Sequence, residues 1–412
     1  MAVIKPFRAI RPNPDLAHLI AALPYDVMNT AEARKMTAGN PYSFLRIDRP
    51  EINFPDPIDP YQPQVYEKAS TILQQMLADK QYIMDQKECL YIYRQIMDGR
   101  SQTGLVCCTS VDDYINDVIK KHEFTRPEKE IDRVNHVEAL SAHTGPILQT
   151  YPDHEQIKAI IDHWIDTHAP VYQFTAYDVE QICWVIDQEE VIAQLKELFA
   201  AVPHLYIADG HHRSAAAQRV ALKKRQENPN FTGDEEFNYF LSVLFPASEL
   251  MIMPYNRVVQ DLNGLSEQEF FARIRERFEL DAAPTQPYQP EVPHTFGMYL
   301  GSTWYKLTAK PEIIPENDPV NRLDAAVLQN NLLEPVLGIA DPRTDERIDF
   351  IGGIRGLTEL ERRVHTDMTV AFSLYPTAIE EVISVADAGM VMPPKSTWFE
   401  PKLLSGLFIH QI

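Results

Sequence analysis

A mixed α/β fold is predicted by three observations. Amphipathic helical stretches alternate with short apolar, β-rich stretches from one end of the chain to the other. Two strand-like runs flank the dipeptide Asp98-Gly99, the pattern of a tight hairpin. The chain has 412 residues, 45% of them hydrophobic, enough for a sizeable core and for two or three domains.

Taken in order, "VIKPFRAIRP" opens the chain as a short strand and turn. "NTAEARKMTAGN" is a helix that Asn29 or Thr30 caps and Gly39-Asn40-Pro41 ends. Residues 50–63 are proline-rich and read as loop, and "QVYEKASTILQQMLADK" follows as an amphipathic helix. The hairpin pairs "CLYIYRQIM" with "TGLVCCTSV". "HEQIKAIIDHWIDTH" and "EEVIAQLKELFAAV" are helices, with paired strands "VYQFTAYD" and "ICWVID" between them. "LYIAD" is a strand, "RSAAAQRVALKKRQ" a helix, and "FLSVLF" and "ELMIMPYNRVV" two more strands. The proline-rich stretch Asp281 to His294 marks the expected domain boundary, giving a main domain over 1–282 and a C-terminal α/β region over 283–412 that packs on it. Beyond it come a hairpin ("TFGMYLGSTWYKLTAK"), a helix ("RLDAAVLQNNLLEPVLG"), a strand near "TVAFSLYP", and the tail "MVMPPKSTWFEPKLLSGLF".

Composition narrows the function. A net charge of −21 repels phosphate backbones, so no general nucleic-acid partner is expected. A small anion can still bind where the chain builds a local basic pocket. Four cysteines without a CxxC pair argue against a disulfide framework or structural zinc. The start lacks the apolar core of a signal peptide, and no run approaches the ~18 apolar residues of a membrane helix. A soluble cytoplasmic protein is expected. GxxxxGK[ST], GxGxxG, HExxH and GxSxG are all missing, which argues against P-loop, Rossmann, zincin and lipase-type chemistry.

Four segments could carry chemistry. In "LYIADGHHR" an apolar strand ends at Asp209, and a helix starts just beyond. The first N–H groups of a helix lack partners and its dipole is positive there, so the segment is built like a phosphate cradle. Gly210 admits close approach, His211, His212 and Arg213 add donors, and Asp209 is placed to hold Mg²⁺ or take a proton. The plainer reading makes Asp209 an ordinary cap.

The second segment, Lys120 to Ile147, mixes Glu123, Arg126, Lys129, Asp132 and Arg133, the combination of cations and carboxylates that phosphoryl transfer uses. It reads equally as a solvated loop and helix. In "PYDV", Asp26 can face a pocket, although locally the segment is a loop leading into a helix. In "MPPKSTWFEPK", Lys395 and its hydroxyl neighbours can close over a phosphate or form a packed proline turn.

With "PYDV", "NPYSFLR", "FTRPEKEIDR", "DGHHR" and "MPPKSTWFEPKLLSGL" in this order, the chain resembles a widespread prokaryotic family described only as a domain of unknown function. Gly210, His212 and Arg213 also resemble the phosphate motif of the ParB/sulfiredoxin superfamily. The resemblance implies a ParB/sulfiredoxin-like core with a mixed sheet and a C-terminal α/β extension. His211 stands where sulfiredoxin has its cysteine, so that thiol chemistry is not implied.

The phosphate cradle with its neighbouring carboxylates adds Mg²⁺ as the expected cofactor, and the resemblance further implies a small-molecule kinase. It would move a phosphoryl group from pyrophosphate, or from a nucleotide, to the hydroxyl of free L-serine and give O-phosphoserine. Gly210, His211, His212 and Arg213 would hold the donor, with Arg126, Lys129, Arg133 and Lys395 as clamps. Asp209 would be the first choice as base or acceptor anchor, with Asp26 and Glu123 behind it. The alternatives are a ParB-like nucleotide-binding switch and, third, a metal-dependent phosphohydrolase.

Overall fold

The computed structural model describes residues 1–55 and 58–412. Asp56 and Pro57, within the loop expected over 50–63, lie outside the described residues, and Pro50–Asn53 at its start form a 3₁₀ turn. The chain makes two compact units, Met1–Leu250 with Pro401–Ile412, and Met251–Glu400.

The first unit is built on a mixed nine-stranded sheet. Its strands are β1 (Ile4–Lys5), β2 (Leu90–Met97), β3 (Arg100–Ser110), β4 (Ile119–Lys120), β5 (Ile147–Tyr151), β6 (Tyr172–Ala176), β7 (Val179–Ile186), β8 (Leu205–Asp209) and β9 (Tyr239–Pro246). Their order is β4-β8-β5-β9-β3-β2-β7-β6, with β1 pairing β3. The pairs β4–β8 and β5–β9 are parallel and the rest antiparallel. The β2–β3 hairpin turns at Asp98 (φ 52°) and Gly99 (φ 80°), the left-handed pair that a two-residue turn of this kind requires.

Six helices matter in this unit: α1 (Thr30–Met36), α2 (Pro63–Ala78), α3 (Pro127–Leu140), α4 (Glu155–Thr167), α5 (Glu189–Ala201) and α6 (His211–Glu227). Helix α1 carries the cap that the sequence suggested, since the Asn29 side chain accepts from Glu32 N–H and Glu32 accepts from Asn29 N–H. Helices α4 and α5 bury Ile157, Ile161, Trp164, Leu195 and Phe199 against Ile92, Leu105, Trp184 and Ile207 of the sheet. Each such side chain contributes roughly 1.5–3 kcal/mol of burial. A second cluster joins Phe44, Leu45 and Ile47 to Ala69, Leu73 and Met76 of α2 and to Ile409. The four cysteines are free and buried.

The second unit has a six-stranded antiparallel sheet of β10 (Tyr255–Val259), β11 (Phe278–Ala282), β12 (Thr295–Leu300), β13 (Thr303–Ala309), β14 (Ile348–Gly352) and β15 (Val370–Leu374), in the order β11-β13-β12-β15-β10-β14. Helix α7 (Glu267–Arg277), capped by Ser266, and the helical stretch Asp324–Leu333 cover a core of Phe270, Phe278, Phe296, Leu328 and Leu332.

The units divide elsewhere than expected. The proline-rich stretch after Asp281 is a loop joining β11 to β12 inside the second unit, not a linker. The tail leaves that unit at Glu400, and residues 401–412 complete the first. Ser405 exchanges backbone hydrogen bonds with Ala22, and Ile409 with Ile10. Among the described residues no helix is long and apolar enough to cross a membrane.

Candidate functional site

Strand β8 supplies the site's edge. Leu205 to Ala208 are buried, and a register irregularity against β5 between Ile207 and Asp209 turns the strand's end outward. Gly210 follows at φ 109°, ψ 26°, a conformation costly for any other residue. Helix α6 starts at once, and its first regular bond is Ser214 N–H to Gly210 C=O. The N–H groups of His211, His212 and Arg213 therefore have no intrahelical acceptor.

Arg213 folds back over this terminus. A Cβ on Gly210 would lie 3.2 Å from its Nε, and a Cβ on Gly145 3.4 Å from its Cδ, so the side chain runs close by two glycine backbones. One terminal nitrogen donates to the Pro146 carbonyl, the other stands 3.7 Å from Asp209 Oδ1, and the buried Nε has no acceptor. From the C-terminal tail, Lys402 Nζ donates to Asp209 Oδ2 at 3.0 Å. Burial by itself would raise the Asp209 pKa, but Lys402 and then Arg213 outweigh it and hold the carboxyl well below its usual range. Asp209 thus stands as one carboxylate between two cations.

The two histidines act differently from expectation. His211 Nε2 accepts the His122 N–H at 3.4 Å, and its ring meets the His122 ring edge-on at 4.5 Å. His212 Nε2 accepts the Arg126 N–H at 3.0 Å. Accepting nitrogens are unprotonated, so these rings tie the 121–126 loop to the helix start as neutral imidazoles instead of offering that nitrogen's proton to a ligand. Burial lowers the pKa of both, takes His211 well below its ordinary value, and lowers His122 to about 4. Glu123 Oε2 stands 3.7 Å from His211 Nδ1.

The second segment contributes through α3. Arg133 is buried, pairs with Asp132 at 2.8 Å, and places its guanidinium 3.8 Å from the Tyr25 ring centroid. Tyr66 O–H donates to Asp132, so the carboxylate is doubly engaged. Arg133, Tyr25 and Arg213 line one cavity of about 30 Å³ together with Asp48, His136, Thr144 and Ser405. That is room for a water or two. Thus three segments far apart in sequence converge here. Asp26, next to Tyr25, is exposed, and its charge acts on both Tyr25 and His212.

Lys129, Arg126 and Lys395 are not among the residues lining this cavity. Lys129 donates to Tyr61 O–H at 3.1 Å on an exposed surface. Arg126 is exposed at the start of α3, close enough for its charge to act on His212. Lys395 belongs to the second unit, where its amine stands 5.4 Å from the Tyr255 ring centroid. Sequence reading passed over Lys402, Asp48, Thr144 and Ser405. Only Lys402 had a signal, seven residues beyond Lys395 in the same tail motif.

Among the described residues no group of three or more His, Cys, Asp or Glu side chains could hold a metal ion. Asp209, expected to bind Mg²⁺, does not fit that role, because both its oxygens face protein cations.

A family model described as "Protein of unknown function (DUF1015)" matches residues 4–326. No curated protein matches the sequence. Solved structures similar to the chain include a C-terminally truncated SbnI from Staphylococcus aureus, 13% identical, covering 72% of this chain and 82% of that one at a TM-score of 0.38. A mutant of a free serine kinase, in complex with AMP, is 12% identical, with 74% and 89% covered and a TM-score of 0.36. A conserved hypothetical protein from Pyrococcus furiosus is 13% identical, with 72% and 90% covered and a TM-score of 0.34. Scores this low assign no role to any residue.

Proposed function

The chain belongs to this DUF1015 family, and we propose that it is a small-molecule phosphotransferase acting on the hydroxyl of free L-serine, with pyrophosphate or a nucleotide as donor. The single observation that carries the reading is the start of α6. There Arg213 and Lys402 flank free helix N–H groups, with an unpartnered Arg213 Nε aimed at the same place. An arriving phosphate would compete with Asp209 for both cations and give the unpartnered Arg213 Nε an acceptor. The donor, the acceptor and the ParB/sulfiredoxin-like core come from the family resemblance.

In this mechanism the serine oxygen attacks the terminal phosphorus of the donor. A new P–O bond forms as the bridging P–O bond breaks, and the departing phosphate keeps the bond's electrons at the helix start beside Arg213 and Lys402. The hydroxyl proton passes to a carboxylate. Asp209 is poorly suited, because a carboxyl held so acidic is a weak base. Asp26 takes the role here, since it has no ion-pair partner among the described residues, follows the cavity-lining Tyr25 in the chain, and acts by its charge on His212. Mg²⁺ is proposed as the donor's companion ion, held by phosphate and water.

The test is phosphorus NMR of the protein with Mg²⁺ and L-serine, offering pyrophosphate, ADP and ATP separately. A phosphoserine resonance in any tube that is lost in Arg213→Ala is the expected result. Donor binding without phosphoserine would overturn the kinase and leave a nucleotide-binding switch. Phosphate release without serine would favour a phosphohydrolase.

A further inference from the structure

The second unit contains a larger cavity, about 280 Å³, between β10, β14, the helical stretch 324–333 and the prolines Pro393-Pro394. The family match ends at residue 326, before most of its wall.

The cavity is mainly apolar, with Leu333, Ile348, Phe350 and Pro394 in its lining, and Arg257 reaches it from β10. Arg257 is only 3% exposed and sits inside the sheet. A guanidinium has five N–H donors. Arg257 spends one on the Tyr255 carbonyl and one on the Lys395 carbonyl, and its plane lies 5.3 Å from the Phe350 ring centroid. Among the described residues no carboxylate pairs with it and no further acceptor serves its other donors. Burial lowers its pKa to about 10, opposed by Tyr255 alone and by no carboxylate. The acid on the cavity wall, Asp341, is engaged through both oxygens by Arg343 at 2.9 Å.

A buried cation without a counter-ion is costly unless something pairs with it. Here the cation borders a cavity sized and lined for an organic molecule. We infer that this cavity binds a small organic acid, its carboxylate on Arg257 and its apolar body between Phe350, Leu333 and Pro394. This site gives a use to the "MPPK" motif that the phosphotransferase reading leaves idle, because Pro393-Pro394 form a wall and the Lys395 carbonyl orients the guanidinium. It stands independently of the proposed reaction.

The test uses fluorine NMR of the full-length protein with 4-fluorobenzoate, in parallel with the neutral 4-fluorobenzamide and with 4-fluorophenyl phosphate. The expected Kd for the benzoate is about 1 mM or tighter, as about ten heavy atoms in a formed pocket permit. The amide should bind at least ~10-fold more weakly, the loss of one charge-assisted contact. Binding should persist in Arg213→Ala and fall at least ~10-fold in Arg257→Met, with Arg257→Lys between. Equal binding of the amide, no benzoate binding at 10 mM, or loss in Arg213→Ala but not in Arg257→Met would each overturn the site. Tighter binding of the phosphate than of the benzoate would overturn the carboxylate assignment. The amide comparison needs no variant, so a misfolded Arg257→Met leaves the test intact.

Discussion

Lys402 and Asp209 lie 193 residues apart in the chain and 3.0 Å apart in space. The contact joins the last twelve residues to the strand end that precedes α6. Asp209 is thereby the counter-ion of Lys402, and on the proposed reading Lys402 is a cation of the donor site. Lys402→Met should weaken pyrophosphate or nucleotide binding about 10–100-fold, the worth of one charge-assisted hydrogen bond. Titration calorimetry against the donor checks it, and unchanged affinity would remove Lys402 from the site.

The same contact decides between two carboxylates. If Asp26 takes the proton, Asp26→Asn should lower kcat about 10²–10⁴-fold with little change in donor binding. Asp209→Asn, which removes a counter-ion, should keep most of kcat and alter donor affinity instead. Single-turnover rates of the two variants separate the roles, and the reverse pattern would restore Asp209 as base.

Gly210 combines two constraints. Its φ of 109° is unfavourable for a side chain, and a Cβ would meet the Arg213 guanidinium at 3.2 Å. Gly210→Ala should cost about 1–3 kcal/mol and displace Arg213, so stability and donor affinity fall together. Urea unfolding with donor titration on the same sample checks this. A variant that loses stability but keeps full affinity would show that Arg213's folded-back position is dispensable.

Much of this was legible in sequence, for local reasons. The β2–β3 turn and the strand–glycine–helix unit at Asp209–Arg213 are set by neighbouring residues, and both formed as read. What needed three dimensions was missed. Proline density at 281–294 signalled irregular backbone, which a loop between two strands satisfies as well as a linker does. His211 and His212 looked like donors, but whether an imidazole donates or accepts depends on what faces it, and the 121–126 loop presents N–H groups. Lys402 was passed over for Lys395 because no local pattern reports which lysine of a tail reaches a strand end.

Buried histidines predict how stability follows pH. Burial lowers His122 to about 4 and His143 to about 3, and puts His211 well below its ordinary value. Unfolded histidines titrate near 6.5. Below that pH the unfolded chain binds more protons than the folded one, so stability is full above about 6.5 and declines as pH falls toward the folded values. The slope should be on the order of 1 kcal/mol per pH unit for each such group. Urea midpoints between pH 7.5 and 5.0 check the sign, and a flat profile would mean these rings protonate in place.

The last prediction separates the tail's structural part from its chemical one. Gly406 has φ 86°, and a Cβ there would lie 2.6 Å from Phe44 Cγ, inside contact distance. Phe44 is fully buried in the cluster that also holds Ile409, and Tyr82 O–H donates to the Gly406 carbonyl at 2.9 Å. Close packing leaves Phe44 no room to retreat. Gly406→Ala should therefore destabilise the protein by about 1–3 kcal/mol from overpacking, with strain from the positive φ added to it. Molecules that remain folded keep Lys402 on Asp209, so donor affinity in the cold should stay within about threefold of the parent, less than half the tenfold step of 1.4 kcal/mol. Lys402→Met should show the opposite pattern, with affinity lost and stability nearly kept. Thermal unfolding and donor titration on both variants read the two axes. If Gly406→Ala loses affinity as fully as Lys402→Met while still folded, the whole tail, and not the one amine, shapes the site.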